Sequence, residues 1–240
     1  MILAALLVLA AAPAVSPLKG LDKPKKEQRG TLGDSENTKG KVKIHCVDVG
    51  SAMLVEIDDP GLVGARDVWL RKKVGDAMPP CDANESDVRH VTGVPGFGYV
   101  AGTKGDFLFA TSADAFGDRM GLRVFALSTG EQVYEAEFSL QQPVTLTMEG
   151  KSLLMRFHLA VSATCEPRGE EAAACWKEVR EAARVPEKLE VKAPPCDEVF
   201  RGKNALPGTA LLALPVEVDL AASPRKPRHL PGAATCAESP

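Results

Sequence analysis

The amino-acid sequence predicts a mainly β protein built from antiparallel sheets, with one packed helix near residues 170–184. The first observation is that apolar and polar residues alternate with period two over residues 97–161, in segments separated by short turns that contain glycine. Such alternation is typical of strands that bury one face and expose the other. The second observation is a run from Ala172 to Ala183 in which apolar residues recur at helical spacing.

Ten segments carry the pattern of a strand, and residues such as Asp, Pro and Gly mark turns between them. They are residues 42–49, 52–57, 66–71, 99–102, 106–112, 122–127, 131–138, 144–149, 153–161 and 209–220. In the first segment, the apolar residues Val42, Ile44 and Cys46 share one face. Lys43 and His45 take the opposite face, so we expect His45 to face solvent.

Residues 170–184 have the end signals of a helix as well as its spacing. Glutamates open the segment, Arg180 and Arg184 lie near its end, and Pro186 follows. Acidic residues in the first turn and basic residues in the last complement the helix dipole, and proline cannot continue a helix. This is the one helix that the sequence predicts.

A predicted hairpin from Val124 to Tyr134, with the sequence VFALSTGEQVY, lies within residues 97–138. This segment resembles a single β-propeller blade of the WD or PQQ type, which implies antiparallel sheet. The chain contains no second copy of the segment, and a propeller needs about four or more blades to close. The expected arrangement of the sheets is therefore sandwich or propeller-like.

The two ends of the chain differ in composition from its centre. Residues 15–41 are rich in Lys, Gly, Pro and acidic residues, and they have too few large apolar side chains to form a core, which predicts a flexible basic leader. A β-rich domain is expected over 42–221. A Pro-rich tail over 222–240 follows, and we expect it to be disordered unless Cys236 ties it down. Pro215 predicts an edge strand or a bulge, because proline cannot donate to a sheet ladder.

Residues 1–14 are predicted to be a signal peptide. An apolar run from Met1 to Val15 contains Ala12-Pro13-Ala14, which has the small-x-small form of a signal-peptidase site. The run is shorter than the roughly 20 residues needed to span a bilayer. We therefore expect no transmembrane anchor after cleavage, and a secreted or periplasmic location.

Six cysteines follow the predicted cleavage site, and an even number in an exported chain favours disulfides over free thiols. Cys165 ends the strand region before the helix and Cys175 lies on the apolar side of the helix, so this pair is the best predicted disulfide. Sequential pairing, one of about 15 possibilities, adds two bridges: Cys46 with Cys81, and Cys196 with Cys236.

The net charge of −3 is unevenly distributed. Up to His45 there are eight Lys and Arg residues against four Asp and Glu, and from Ala222 onward there are three against one. The middle of the chain is therefore acidic, which argues against nucleic-acid binding. The expected partner is an unidentified protein or glycan of the envelope or the extracellular space.

The motifs G-x-S-x-G and H-E-x-x-H and the P-loop do not occur in the sequence. One S-x-x-K, from Ser223 to Lys226, contains a proline and lies in the predicted tail, so we read it as accidental. The four histidines show no paired ligand spacing, so no zinc site is expected, and no cofactor is predicted. Asp87 and His90, three residues apart, would meet on a helix. Pro95 and the β-branched residues before it disfavour a long helix there.

Two groups of polar residues are candidate sites. Asp114 and Asp118 lie in a predicted glycine-bearing loop and are candidate calcium ligands, because carboxylate oxygens are ligands that calcium prefers. Arg119 of the same loop is a candidate partner contact. So are Arg156 and His158, which share one face of a predicted strand.

The β architecture, the disulfides and the missing motifs together favour a non-enzymatic exported binding or interaction protein of the cell envelope. The alternative is a secreted hydrolase in which folding brings Asp114 or Asp118 to His90 or His158. The two hypotheses require different structures, because an enzyme needs His and Asp side chains within hydrogen-bond reach in a concave pocket.

Overall fold

The computed structural model describes residues 17–115, 117–201 and 210–238. The protein is mostly β, with 46% of residues in strands and 9% in helices, as the sequence predicts. The predicted signal peptide, residues 1–14, lies outside the described residues. Within them, no helix combines the length and apolar character needed to cross a membrane.

The secondary-structure elements are numbered in chain order. The strands are β1 (Leu18–Lys19), β2 (Glu27–Asp34), β3 (Lys41–Asp48), β4 (Ala52–Asp58), β5 (Asp67–Lys72), β6 (Val88–His90), β7 (Gly98–Lys104), β8 (Phe107–Ser112), β9 (Arg119–Ala126), β10 (Gln132–Ser139), β11 (Val144–Glu149), β12 (Ser152–Ser162), β13 (Val191–Lys192), β14 (Ala210–Asp219), β15 (Arg228–His229), β16 (Gly232–Ala233) and β17 (Thr235–Glu238). The helices are α1 (Ala172–Ala182), preceded by a 3-10 turn over Gly169–Glu171, and α2 (Cys196–Val199).

A five-stranded sheet contains β2 to β6, side by side in chain order and antiparallel throughout. Period-two alternation gives it two buried faces of different kinds. The face that we call the closed face carries the apolar residues Val42, Ile44, Cys46, Met53, Val55, Ile57 and Trp69. On the opposite face, Leu54 and Leu70 pack against residues of a second sheet, among them Leu108 and Phe125.

The second sheet has ten strands and is curved into a nearly closed, barrel-like form. Its main path runs β1-β11-β12-β10-β9-β8-β7, and β14 pairs with β12 and carries β15 and β17. Phe109, Leu122, Phe138, Met155 and Val216 belong to its largest apolar cluster. The propeller-like hairpin is β9–β10, which lies inside this sheet between β8 and β12.

Three disulfides join the cysteine pairs that the sequence predicts. Cys165–Cys175 ties α1 to the segment after β12, and Cys175 and Val179 are the buried residues of this helix. The other two are Cys46–Cys81 and Cys196–Cys236. Three disulfides are consistent with an oxidising extracellular or periplasmic environment.

Residues 15–41, the predicted flexible basic leader, contain the strands β1 and β2. β1 pairs with β11 in parallel, and β2 pairs with β3 along its length. All eight residues of β2 are exposed, so the strand is held by backbone hydrogen bonds and buries no apolar side chain. The composition of residues 27–34 therefore does not predict this strand.

The prediction that Pro215 marks an edge strand or a bulge is wrong, because β14 has partners on both sides and its register with β12 is continuous through Pro215. β14 pairs with β12 over residues 211–219, and its other side pairs first with β17, at residues 210–213, and then with β15, at 216–217. Pro215 lies where the partner changes, so its missing N–H interrupts no ladder there. The predicted tail, 222–240, contributes these short strands, and Cys236 ties it to Cys196.

Candidate functional site

The face of the five-stranded sheet opposite the closed face has an apolar end and a polar end. Direct partners in an antiparallel pair share a face, so the cross-strand pairs show which residues of this face are neighbours. Val47 lies opposite Leu54, which in turn lies opposite Leu70. The neighbouring polar residues are Glu27, Arg29, Lys43, His45, Glu56 and Asp58. We call this polar end the cleft face.

Strand β7, at the end of the ten-stranded sheet, covers the cleft face. The backbone amide of Val100 donates a hydrogen bond to Glu56 Oε1 at 2.8 Å, and the amide of Ala65 donates to the Gly98 carbonyl at 2.7 Å. A strand from one sheet thus uses its backbone groups to hold a carboxyl group of the other.

Residues 21–26, which we call the crossing segment, close the cleft from a second side. The Asp22 amide donates to the Thr103 carbonyl at 2.8 Å, and the Lys26 carbonyl accepts a hydrogen bond from the Asp48 amide at 2.9 Å. The segment therefore runs from β7 to β3. The Leu21 side chain packs beside Gly102, where an added Cβ atom would lie 3.1 Å from Leu21 Cδ1.

His45 and Glu56 are direct cross-strand partners on the cleft face. His45 Nε2 lies 3.1 Å from Glu27 Oε2 on the next strand, and the His45 side chain is 32% exposed. The expectation that His45 faces solvent is confirmed only in part, because its side chain also contacts Glu27 and lines the cleft beneath β7 and the crossing segment. The hydrogen bond from His45, together with the charge of Arg29, lowers the pKa of Glu27.

Glu56 has the most perturbed carboxyl group of the cleft. Burial raises its pKa to about 7, although the hydrogen bond from the Val100 amide acts in the opposite direction; the charge of Asp58 raises it further. Desolvation disfavours the ionised carboxylate more than one hydrogen bond restores it. Near neutral pH the carboxyl group therefore exists in both protonation states.

Two cavities open beside Glu56 and His45, and both residues line each of them. The inner cavity has a volume of about 160 Å³, and its apolar lining includes Leu21, Val47, Leu54 and Val100. The outer cavity has a volume of about 230 Å³, and its lining includes Arg29, Lys43, Asp58 and Tyr99. A cavity of about 150 Å³ is large enough to bind benzene.

The arrangement can bind a small molecule and can exchange a proton with it. Strongly perturbed carboxyl groups in clefts mark functional sites more often than other positions do. Apolar walls with a few convergent polar groups are typical of small-molecule sites. The cleft has both properties, and none of the side chains proposed as site residues from the sequence lines it.

The acidic loop of the sequence prediction lies on the ten-stranded sheet. Asp114 is exposed, and its carbonyl accepts a hydrogen bond from Ser112 Oγ at 2.8 Å. Arg119 lies inside strand β9 and not in a loop; its side chain forms an ion pair with Glu137 at 3.1 Å. The loop prediction extended too far because strand pairing with β10 continues to Arg119. Asp118 lies just before this strand.

Arg156 and His158 lie on β12, but each has a partner within the protein. Arg156 forms ion pairs with Glu217 at 2.6 Å and Glu149 at 3.1 Å. His158 Nε2 lies 3.3 Å from the Ala233 carbonyl oxygen, and burial lowers its pKa. These contacts do not test the predicted partner contact, which stays a prediction.

The His–Asp pairs of the hydrolase hypothesis do not form among the described residues. His90 Nε2 lies 3.7 Å from Glu85 Oε2, and its ring packs edge-on against Trp69. In the described part of the chain, no group of three or more His, Cys, Asp or Glu side chains could hold a metal ion. Calcium binding by Asp114 and Asp118 stays a prediction.

Sequence reasoning missed Glu56, although one signal was present. Strand 52–57 reads Ala-Met-Leu-Val-Glu-Ile, in which a single carboxylate interrupts an apolar run. A charged residue among buried neighbours indicates either a solvated edge or a functional polar site.

Comparison with known protein families, with curated proteins and with solved structures gives no match to this chain.

Proposed function

We propose that this protein is a non-enzymatic, exported binding protein of the cell envelope, and that its ligand is a small molecule held in the inner cavity. One observation carries the proposal: the Glu56 carboxyl group lies against a cavity with largely apolar walls, with only a backbone amide bonded to it in the described residues. Glu56 is half-buried, and removing a carboxylate from water is costly where protein groups do not replace the lost hydrogen bonds. A ligand that satisfies this group would offset the cost.

Export is the second part of the proposal. Its support is the apolar run over residues 1–14 with a small-x-small site at Ala12 to Ala14. The three disulfides add to this support, since such bonds persist in oxidising compartments. The envelope protein or glycan expected as a partner stays a prediction, and the size of the cavity favours a smaller ligand.

One preparation tests both parts. The full chain is expressed in its source organism, purified from the envelope fraction, and weighed by mass spectrometry under denaturing and native conditions. We expect a denatured mass that begins at residue 15, and a native mass increased by a bound small molecule. The Glu56→Gln variant should lose the added mass. His158→Ala, distant in the fold and bonded elsewhere, should keep it.

Retention of residues 1–14 in the purified protein would contradict the predicted cleavage. An unchanged added mass in Glu56→Gln would remove the cavity from consideration as the site. Absence of any added mass in the wild-type protein would count against a tightly held ligand.

A second candidate function, a secreted hydrolase, is favoured by the same carboxyl group. A glutamate with a pKa near 7 can act as a general acid or base at neutral pH, and His45 is its cross-strand neighbour. Incubation of the recovered ligand with fresh protein separates the two functions. An unchanged ligand supports binding alone, and conversion that Glu56→Gln abolishes supports the hydrolase.

A further inference from the structure

The three carboxyl groups that line the inner cavity differ in their counter-ions. Asp22 forms an ion pair with Lys104 at 2.8 Å, and Glu27 contacts His45 at 3.1 Å and Arg29 at 3.5 Å. Across residues 17–115, 117–201 and 210–238, no cationic side chain forms an ion pair with Glu56. Its bonded partner is the amide of Val100.

The walls of the cavity define what else the ligand must carry. Leu21 on the crossing segment, Leu54 on β4 and Val100 on β7 enclose Glu56 with apolar surface. An apolar body of about the size of benzene would fill a space of this volume and would exclude water from the carboxyl group. Exclusion of water strengthens a charge pair, because the local dielectric constant falls.

The charge of the lining disfavours an anionic ligand. Asp22 and Glu27 already have counter-ions, so an anion in the inner cavity would be repelled mainly by the ionised Glu56. A neutral ligand could fill the apolar space but would leave the ionised carboxylate without a counter-ion. A cation supplies both the apolar contact and the missing charge.

We propose that the inner cavity binds a small organic cation, an ammonium group on a compact apolar body, whose nitrogen donates hydrogen bonds to Glu56. This inference rests on the proposed function, because it requires that the cavity be a ligand site. The ammonium pairs with Glu56 in the way that Lys104 pairs with Asp22. The ligand thus supplies the counter-ion that Glu56 lacks among the described residues.

The pH dependence of binding follows from the protonation of Glu56. Burial raises its pKa to about 7, and only the ionised form attracts a cation, so affinity should increase by about ten-fold between pH 6 and pH 8. Other charged or titratable groups around Glu56 come from every neighbouring element. They are Asp22 on the crossing segment, Glu27 and Arg29 on β2, Lys43 and His45 on β3, Asp58 on β4, and Tyr99 and Lys104 on β7.

These neighbouring groups also act on a bound cation, so the variant Glu56→Gln must be measured over the same pH range. Glutamine keeps the shape of the side chain and cannot ionise. The part of the pH dependence that disappears in this variant belongs to Glu56.

Three probes with the same aromatic ring test the proposal: benzylammonium and benzyl alcohol, which differ only in the head group, and benzoate, which carries a negative charge. Each is titrated into the full chain at pH 8, and binding is followed by the nuclear magnetic resonance shift of the Val100 amide. We expect benzylammonium to bind at least about ten-fold more tightly than the alcohol. That advantage should disappear in Glu56→Gln and shrink at pH 6.

The outcomes separate this inference from the proposed function. If benzyl alcohol or benzoate moves the Val100 resonance at equal or lower concentration than benzylammonium, the cavity is a ligand site but the cation inference is wrong. If none of the three probes moves it, both the inference and the cavity as ligand site are wrong. Equal preference for benzylammonium in Glu56→Gln would also overturn the inference.

Discussion

The two faces of the five-stranded sheet are made by the same strands but are covered in different ways. On the closed face, Trp69 is fully buried, and the cover is the loop after β5, joined to β3 by Cys46–Cys81. Arg71 fixes the same loop by donating to the carbonyls of Pro80, Asp82 and Asn84. The cleft face is covered by β7 and the crossing segment instead.

The difference in cover explains the difference in role. The closed face meets a neighbouring loop through apolar contacts and a covalent bond, so its side chains contribute mainly to stability. The cleft face meets an edge strand of another sheet, where the Val100 amide donates to Glu56 beside an incompletely filled space. One period-two alternation therefore produces a core on one side of β4 and a candidate site on the other.

The largest expected effect is on the closed face. Trp69→Ala removes the largest fully buried side chain of this sheet, so the free energy of unfolding should fall by about 3 to 5 kcal/mol. Urea denaturation at pH 7 measures this fall. The matched variant on the cleft side is Tyr99→Ala, where the aromatic residue is 39% exposed and we expect a loss of less than about 1 kcal/mol. Equal losses in the two variants would abolish the distinction between the faces.

A smaller effect is expected from Glu56, and it depends on pH. The pKa of Glu56 is about 7 in the folded protein and 4.5 as its ordinary value. Because the folded pKa is the higher one, its favourable contribution is present below pH 4.5 and is lost as pH rises through about 7. Between pH 4.5 and 8, wild type should lose up to about 3 kcal/mol of unfolding free energy relative to Glu56→Gln.

Urea denaturation of both proteins at several pH values across this range measures that difference. The comparison of wild type with Glu56→Gln controls for every other titrating group, since the variant retains all of them. Parallel curves for wild type and variant would show that Glu56 titrates alike in the folded and unfolded chains.

Local patterns in the sequence were sufficient for the closed face. The alternation of residues 42–49 placed Val42, Ile44 and Cys46 together, and the structure buries all three. The spacing of Cys165 and Cys175 relative to the helix identified their bridge. In each case the decisive residues are close in sequence or share one element.

The cleft could not be predicted in the same way, because its cover comes from distant parts of the chain. Glu56 and Val100 are 44 residues apart, and no local pattern indicates that β7 crosses the face of β4. The crossing segment and β2 have few large apolar residues and no periodic apolar pattern, so their composition predicted a flexible leader. His45 was consequently placed in solvent, and the carboxyl group opposite it received no attention.

The smallest effect is expected at Glu27, the carboxyl group that contacts His45. The hydrogen bond from His45 and the charge of Arg29 lower its pKa, so its contribution is lost only as pH falls through that lowered value, below the window in which Glu56 titrates. Its side chain is 48% exposed, and exposed ion pairs contribute little to stability. Glu27→Gln should therefore show the same pH dependence of unfolding free energy as wild type between pH 4.5 and 8. A variant curve that flattened as in Glu56→Gln would mean that the two carboxyl groups titrate together, and that the perturbed proton cannot be assigned to Glu56 alone.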